Sequence, residues 1–315
     1  MTLSVDPVLT LPPVPELSLG PLVFEWCQEY VRQPDGPDAG ERWQFTPEQI
    51  RFLHFLYAVD DRGRFLWSRS VLRRAKGWGK SPLMAALALA ELCGPVRFDG
   101  FNSAGDPVGV PASLPWVQIA GVSEKQTNNT MSMVLAMIAE SPIVDDYGLD
   151  PGLTRVFTAG GGKLEPITAS ASTAEGARPT FCVLDETHHW VQANGGHKLA
   201  EVIRRNLGKS RDGAARSVET TNAHEMGIES VAERSYDAWQ TQLAGRTARG
   251  TILHDSREGP AGIDLAEAPE LMAALAATYG DSTWVDLERV RDEVYDPGTP
   301  PSEARRFYLN QMSVA

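Results

Sequence analysis

One short stretch, Leu72 to Met84, constrains the fold of this chain more than any other. It reads LRRAKGWGKSPLM and joins a predicted strand over 64–73 to an Ala- and Leu-rich predicted helix over 81–92. A strand that turns through glycines into a helix starting at Gly79-Lys80-Ser81 gathers backbone N–H groups, an ammonium and a hydroxyl at one helix N-terminus. These groups together indicate a loop that binds phosphate, within a βαβ architecture.

The stretch departs from the full phosphate-loop pattern at one position. The pattern G-x-x-x-x-G-K-[ST] asks for glycine where Arg74 stands. Taken alone the motif is ambiguous, because an ordinary surface helix can also start with Gly-Lys-Ser. A second such tripeptide, Gly208-Lys209-Ser210, follows no predicted strand and is read as the ordinary case.

A pair of acids roughly a hundred residues further on supports the phosphate reading. Asp185 and Glu186 end the apolar run of PTFCVLDE, which is typical of a buried parallel strand. One carboxylate can join a magnesium shell and the other can polarise a water for attack on a γ-phosphate. Together the two motifs predict ATP hydrolysis by an α/β protein with a mostly parallel central sheet flanked by helices.

Two weaker motifs agree with this reading. Thr220, Thr221 and Asn222 end the next predicted strand, where hydroxyl and amide side chains can sense the γ-phosphate or the attacking water. Gln49, in FTPEQIRF, can read adenine through its amide. Each motif is unremarkable by itself, since threonine-rich strand ends and exposed glutamines are common.

Composition excludes several other classes. The 315 residues suffice for one large α/β domain or two small ones. The net charge of −12 argues against binding nucleic acid through bulk electrostatics, so any DNA contact is expected to be local. Three separated cysteines without C-x-x-C fit reduced thiols rather than a zinc site or a disulfide framework. The prolines and missing basic residues near the N-terminus do not fit a signal peptide, and no membrane association is expected.

The chain divides into three predicted parts. Residues 1–20 are expected to be extended, residues 21–255 to form the nucleotide-binding core, and residues 256–315 to be mainly helical. Within the core, the Gly- and Pro-rich stretch 94–115 is interpreted as an irregular loop or insertion. The AGGGK turn is interpreted as the tip of a hairpin.

In this order the motifs resemble the large subunit of tailed-phage terminases, the ATP-driven DNA-packaging motor. The resemblance covers nearly the whole chain, from the adenine motif at Phe45 to Gln49, through RRAKGWGKS, AGVSEKQ, VLDE and TTNA, to FYLNQ at Phe307 to Gln311. In that family the first glycine of the loop is commonly missing and basic residues occupy the loop. The resemblance implies a P-loop NTPase fold of the ASCE type with a small helical C-terminal lid or linker subdomain.

The resemblance also implies cofactors and residue roles. ATP and Mg²⁺ are the expected cofactors, with Ser81 and Asp185 at the magnesium and Glu186 as the catalytic base. Thr220, Thr221 and Asn222 would couple hydrolysis to movement. The residues expected to contact nucleotide are Gln49, Arg74, Lys76, Gly77, Trp78, Gly79, Lys80, Ser81 and Asp185.

Two basic roles stay open between candidates. Either Arg74 or Lys76 could be the basic sensor of the loop. Arg211 is the first candidate for an arginine finger supplied to a neighbouring subunit, and Arg178 is the second. A surface arginine without such a role is the alternative for each.

The partners implied by the family are double-stranded viral DNA, the portal of the procapsid, a small terminase subunit and a homo-oligomeric ring, usually a pentamer. The expected location is the cytoplasm of the infected bacterium. The sequence stops at Ala315, where the family's nuclease domain begins, so no nuclease activity is expected of this chain. The alternatives are a superfamily helicase, which would need a second recA-like domain, and a P-loop scaffold or DNA-binding module without hydrolysis.

Overall fold

A computed structural model describes residues 6–169 and 176–314 of the chain. Strands and helices alternate along the chain, as the sequence predicts. The strands are β1 (Val8–Leu9), β2 (Arg69–Arg73), β3 (Arg97–Phe101), β4 (Pro107–Val110), β5 (Trp116–Gly121), β6 (Leu149–Pro151), β7 (Val156–Thr158), β8 (Lys163–Thr168), β9 (Phe181–Leu184), β10 (Arg216–Thr221), β11 (Glu225–Met226), β12 (Ile252–Glu258) and β13 (Ser313–Val314). The helices are α1 (Gly20–Tyr30), α2 (Pro47–Leu56), α3 (Lys80–Cys93), α4 (Glu124–Ile138), α5 (Ile143–Asp146), α6 (Gly196–Leu207), α7 (Val231–Leu243), α8 (Ala268–Tyr279), α9 (Leu287–Val294) and α10 (Pro301–Tyr308).

Nine of the described strands form one sheet in the order β1-β12-β2-β10-β9-β5-β8-β7-β6. The six strands from β12 to β8 are parallel to one another. At the edges, β1 pairs antiparallel with β12, β7 pairs antiparallel with β8, and β6 pairs antiparallel with β7. Strand β10 lies between β2, which leads into the phosphate loop, and β9, which leads into the acidic pair. This arrangement confirms the predicted mostly parallel sheet of a P-loop fold.

Both faces of the sheet are covered, because side chains of successive strand residues point to opposite faces. Leu72 and Val183 pack with α3 in the main core, whereas Val71 and Leu184 belong to the apolar clusters under α7 and α6. Helix α3 is buried at every position from Leu83 to Cys93, since it lies between the sheet and helices α1 and α4. An Ala- and Leu-rich helix with no polar face suits such a position.

The expectation of an irregular stretch over 94–115 is wrong, because β3 and β4 form an antiparallel hairpin there. Its glycines serve the hairpin. A side-chain carbon at Gly109 would lie 2.3 Å from the Pro95 carbonyl oxygen, so the backbones approach closely only with glycine. The hairpin expected around the AGGGK turn is confirmed by the antiparallel pairing of β7 with β8.

The residues after β12, which continues to Glu258, contain the helices α8, α9 and α10. Helices α8, α9 and α10 enclose a small apolar cluster of their own, which includes Leu271, Leu275 and Leu309 and which Ala75 of the loop joins. At the other end, β1 pairs with β12, and residues 1–5 of the predicted extended segment lie outside the described residues. In the described residues no helix has both the length and the apolar character needed to cross a membrane.

Candidate active site

The predicted motifs meet at one edge of the sheet. Strand β2 ends at Arg73, β9 ends at Leu184 and β10 ends at Thr221, and these strands are parallel neighbours in register. Since carboxyl ends of parallel strands lie at the same edge, the loop, the acidic pair and the threonine motif open onto a common space. The site is thus assembled from three motifs that are distant in sequence.

The loop between β2 and α3 has the conformation that its glycines allow. Gly77 and Gly79 both have left-handed backbone angles, with φ of +85° and +95°. Helix α3 starts directly afterwards at Lys80, so its N-terminus and the free N–H groups of its first turn face the site. A side-chain carbon on Gly79 would lie 2.9 Å from the Trp284 ring, which adds a steric reason for glycine there.

The ammonium group of Lys80 folds back onto the loop. Its Nζ donates to the carbonyl oxygens of Arg74 (3.0 Å) and Ala75 (3.1 Å). Burial lowers the pKa of Lys80 to about 8, against the opposing effect of the nearby Glu186 and Asp185 carboxylates. A partly desolvated cation at a helix N-terminus is well placed to bind a phosphate oxygen.

Asp185 is held by two hydroxyl groups. Thr220 Oγ1 donates to one carboxylate oxygen at 2.6 Å, and Thr130 Oγ1 donates to the other at 2.8 Å. Burial raises the pKa of Asp185, while these hydrogen bonds counteract the rise. Sequence reasoning missed Thr130, because it lies inside helix α4 without any motif to mark it.

Glu186 occupies an unusual backbone conformation, with φ 54° and ψ 51° in the left-handed region. Its N–H donates to Thr220 Oγ1 (3.2 Å), and its carboxylate accepts a long hydrogen bond from Gln126 Nε2 (3.4 Å). The turn points the half-buried carboxylate towards the site rather than along the strand. Thr220 therefore contacts both acids and fixes one relative to the other.

The rest of the threonine motif contacts the loop and a buried histidine. Asn222 Nδ2 donates to the Arg74 carbonyl oxygen at 2.8 Å, which ties the end of β10 directly to the phosphate loop. Thr221 Oγ1 lies 3.2 Å from His188 Nδ1. Burial, with smaller effects of His189 and Lys80, keeps the pKa of His188 well below its ordinary value, so this ring is neutral.

The two candidates for the basic sensor lie in different environments. Arg74 is fully buried: its guanidinium donates to the Asp255 carboxylate (2.6 Å) and to the Asp255 carbonyl oxygen (2.9 Å), and it lies over the Trp78 ring. Trp78 is fully buried as well. Lys76 is exposed at the apex of the loop. The structure thus places Lys76, and not Arg74 or Trp78, where a ligand can reach its side chain.

A cavity of about 470 Å³ adjoins the loop on the side of α2. Gln49, Gly79, Pro82 and Trp284 are among its lining residues. The Gln49 amide oxygen accepts from the Thr46 N–H (3.0 Å) in a capping box at the start of α2, and this bond fixes the orientation of the amide. The position next to the loop suits the base of a nucleotide.

Arg211 and Arg178 do not share this site. Both are exposed and precede the strands β10 and β9, so they lie at the amino edge of the sheet. Strands of this length place that edge roughly 15–20 Å from the loop. Neither arginine can therefore reach the loop between β2 and α3 of its own chain.

The donor set fits Mg²⁺, which prefers oxygen ligands and retains water or phosphate oxygens in its shell. Ser81 lies in the first turn of α3, and Asp185 offers a carboxylate at the facing strand end. Among the described residues, including those of this site, no group of three or more His, Cys, Asp or Glu side chains is arranged to hold a metal. A metal here would thus depend on oxygens of the nucleotide to complete its shell.

A parallel sheet with β10 between the strands of the loop and the acidic pair, and with a glycine-lysine-serine loop at its carboxyl edge, defines the class as a P-loop NTPase fold. The structure is similar to that of the HK97 bacteriophage large terminase, with a TM-score of 0.68 over 94% of this chain and 56% of that chain, at 16% sequence identity. The chain thus has the large-terminase fold, which confirms the resemblance expected from the sequence.

Sequence comparison gives two phage relatives. The chain is 38% identical to the Gene 13 protein of Mycobacterium phage L5 and 36% identical to the Gene 13 protein of Mycobacterium phage D29. In each case 96% of this chain is aligned, and it spans 57% of the relative's length. No protein-family model matches the chain.

Proposed function

We propose that this chain is the ATP-hydrolysing motor domain of a phage terminase large subunit, which moves double-stranded DNA into a procapsid. The observation that carries the proposal is the meeting of Lys80, Asp185, Glu186 and Thr220 at the carboxyl edge of the sheet. Lys80 supplies a cation that can bind phosphate, and Asp185 supplies a metal ligand. Glu186 supplies a base, and Thr220 links the two acids. The large-terminase fold supports the coupling to DNA.

Each residue has a distinct part in the proposed hydrolysis. The first-turn N–H groups of α3 and the Lys80 ammonium bind the phosphates, so negative charge is neutralised before the reaction. Ser81 and Asp185 would hold Mg²⁺, which when bound would screen the charge that develops on the phosphate oxygens. Glu186 orients a water and accepts its proton, and Thr220 keeps that carboxylate in register with Asp185.

The remaining roles concern nucleotide recognition and coupling. Gln49 and the adjoining cavity take the adenine, and Lys76 is the basic sensor favoured by its exposure. Asn222 joins the end of β10 to the loop carbonyl of Arg74, which gives a direct path from the hydrolysis site to a sheet strand. Arg74 acts through Asp255 and not through phosphate.

The positions of Arg211 and Arg178 suit a ring. An arginine at the amino edge cannot reach its own nucleotide, but it can act as a finger in a neighbouring copy. We therefore propose an oligomeric ring, a pentamer by the family resemblance, that works with a portal and a small terminase subunit in the cytoplasm of the infected bacterium. A few local lysines and arginines, rather than the overall charge of −12, would contact the DNA.

The test is hydrolysis of Mg-ATP by the chain at increasing protein concentration, compared with Lys80→Ala and Glu186→Gln. Lys80→Ala is expected to lose ATP binding, whereas Glu186→Gln should bind ATP and lose roughly 10²- to 10⁴-fold in rate, as for other catalytic bases. Recovery of rate in a mixture of Glu186→Gln with Arg211→Ala or Arg178→Ala would identify the finger. A wild-type chain that neither binds nor hydrolyses ATP, even with double-stranded DNA, would refute the proposal.

A further inference from the structure

Side chains at the end of helix α8 and just beyond it form hydrogen bonds with three consecutive carbonyl groups of the phosphate loop. They come from Tyr279, Ser282 and Trp284, which we call the clamp. The bonds run from Tyr279 Oη to the Lys76 oxygen (2.7 Å), from Trp284 Nε1 to the Gly77 oxygen (3.0 Å) and from Ser282 Oγ to the Trp78 oxygen (3.4 Å).

These bonds determine which way the loop's N–H groups point. In a trans peptide the carbonyl oxygen and the following N–H point in opposite directions. Holding the Lys76 and Trp78 oxygens on the clamp side therefore turns the N–H groups of Gly77 and Gly79 away from it. Within the described part of the chain, neither of these two N–H groups donates to a protein acceptor. They remain free for a ligand oxygen.

The other loop carbonyls are bonded from within the site itself. Lys80 donates to the Arg74 and Ala75 oxygens, and Asn222 also donates to Arg74. The clamp differs because it belongs to the C-terminal helical region, which has its own apolar cluster. The conformation of the loop's last half is thus linked to the position of that region.

We propose that the clamp positions the phosphate loop, so that phosphate binding and the placement of the C-terminal helices stabilise one another. This inference rests on the proposed nucleotide site and adds residues that contact no phosphate themselves. Trp284 extends the link to the base, because its half-exposed ring lines the cavity beside Gln49 while its N–H holds the Gly77 oxygen. A nucleotide filling both subsites would hold the helices against the loop.

The experiment compares Tyr279→Phe with wild type by measuring binding of Mg-ATP, Mg-ADP and adenosine to the full chain. Loss of the phenol hydroxyl is expected to weaken ATP and ADP roughly three- to tenfold, the range that one hydrogen bond provides, while adenosine binding stays unchanged. Trp284→Phe removes the bond to the Gly77 oxygen and also changes the ring that lines the base cavity, so it should weaken adenosine as well as ATP and ADP. Tyr295→Phe removes a hydroxyl from an exposed tyrosine of the same region and is the matched control.

A second readout does not need nucleotide. The Lys76 N–H donates to the Phe307 carbonyl oxygen at 2.7 Å, and its hydrogen exchange should become faster in Tyr279→Phe but not in Tyr295→Phe. Equal ATP affinity and equal Lys76 exchange in Tyr279→Phe and Tyr295→Phe would overturn the clamp. If wild type fails to bind ATP while Lys76 exchange still responds to Tyr279→Phe, the nucleotide proposal fails and the link between loop and helices stands.

Discussion

Restoring the missing glycine of the loop with Arg74→Gly is expected to destabilise the protein. Arg74 is fully buried, and Asp255, its partner at 2.6 Å, is fully buried too. Removing the guanidinium leaves a buried carboxylate without its counter-charge, which costs about 3–5 kcal/mol. Glu48, whose carboxylate lies 3.6 Å from Arg74 Nε, is affected less because it keeps Arg257 as a partner. Glycine adds about 0.5–1 kcal/mol through backbone entropy, giving a loss of about 4–6 kcal/mol in the free energy of unfolding.

The assay is urea unfolding of Arg74→Gly beside two other variants. Arg64→Gly is the control, because Arg64 and Asp60 form an ion pair in which Arg64 is more than half exposed, and its loss should cost no more than about 1 kcal/mol. The double variant Arg74→Met with Asp255→Asn should recover part of the lost stability, since it removes both charges. An Arg74→Gly protein within about 1 kcal/mol of wild type would refute the structural role of Arg74.

Three further changes have outcomes that follow from the site. ATP affinity should fall as pH rises through about 8, because the pKa of Lys80 is about 8 and its ammonium loses the proton there. In a binding titration, Lys80→Arg should remove this pH dependence because arginine stays charged. Gly79→Ala should weaken ATP binding and lower the melting temperature, because φ of +95° strains alanine by about 1–2 kcal/mol and the added carbon would clash with the Trp284 ring. A variant with the ATP affinity and the melting temperature of wild type would contradict this. Thr220→Val should reduce the rate of ATP hydrolysis roughly tenfold to a hundredfold with little change in ATP affinity, because Asp185 and Glu186 lose the hydroxyl that contacts both. Single-turnover hydrolysis measures this rate, and an unchanged rate would argue against the positioning role of Thr220.

The parts of the site that the sequence predicts are those that local chemistry marks. Lys80 and Asp185 come after recognisable strands and Thr220 lies near the end of one, and parallel pairing brings the ends of those strands to one edge. The position of β10 between β2 and β9 is that of the P-loop fold which the same motifs predict. A sequence that fixes strand ends therefore also fixes which polar groups can meet.

The remaining contacts depend on residues that no pattern marks. Asp255 meets Arg74 across 181 positions of the chain, and its neighbours in sequence do not single it out. Tyr279 and Thr130 lie within helices where a tyrosine or threonine is unremarkable. The hairpin over 97–110 was missed because its glycines, which favour loops, serve here for close backbone approach and tight turning. Such features arise from packing in three dimensions.

The left-handed backbone of Glu186 has a consequence for how this protein can be made more robust. A residue other than glycine in that conformation carries about 1–2 kcal/mol of strain, which glycine would relieve. Yet the same turn aims the carboxylate, and glycine has none to aim. Selection for heat resistance alone would thus favour Glu186→Gly, whereas selection for turnover would remove it. Thermostable variants that keep their activity should therefore carry their substitutions at other positions.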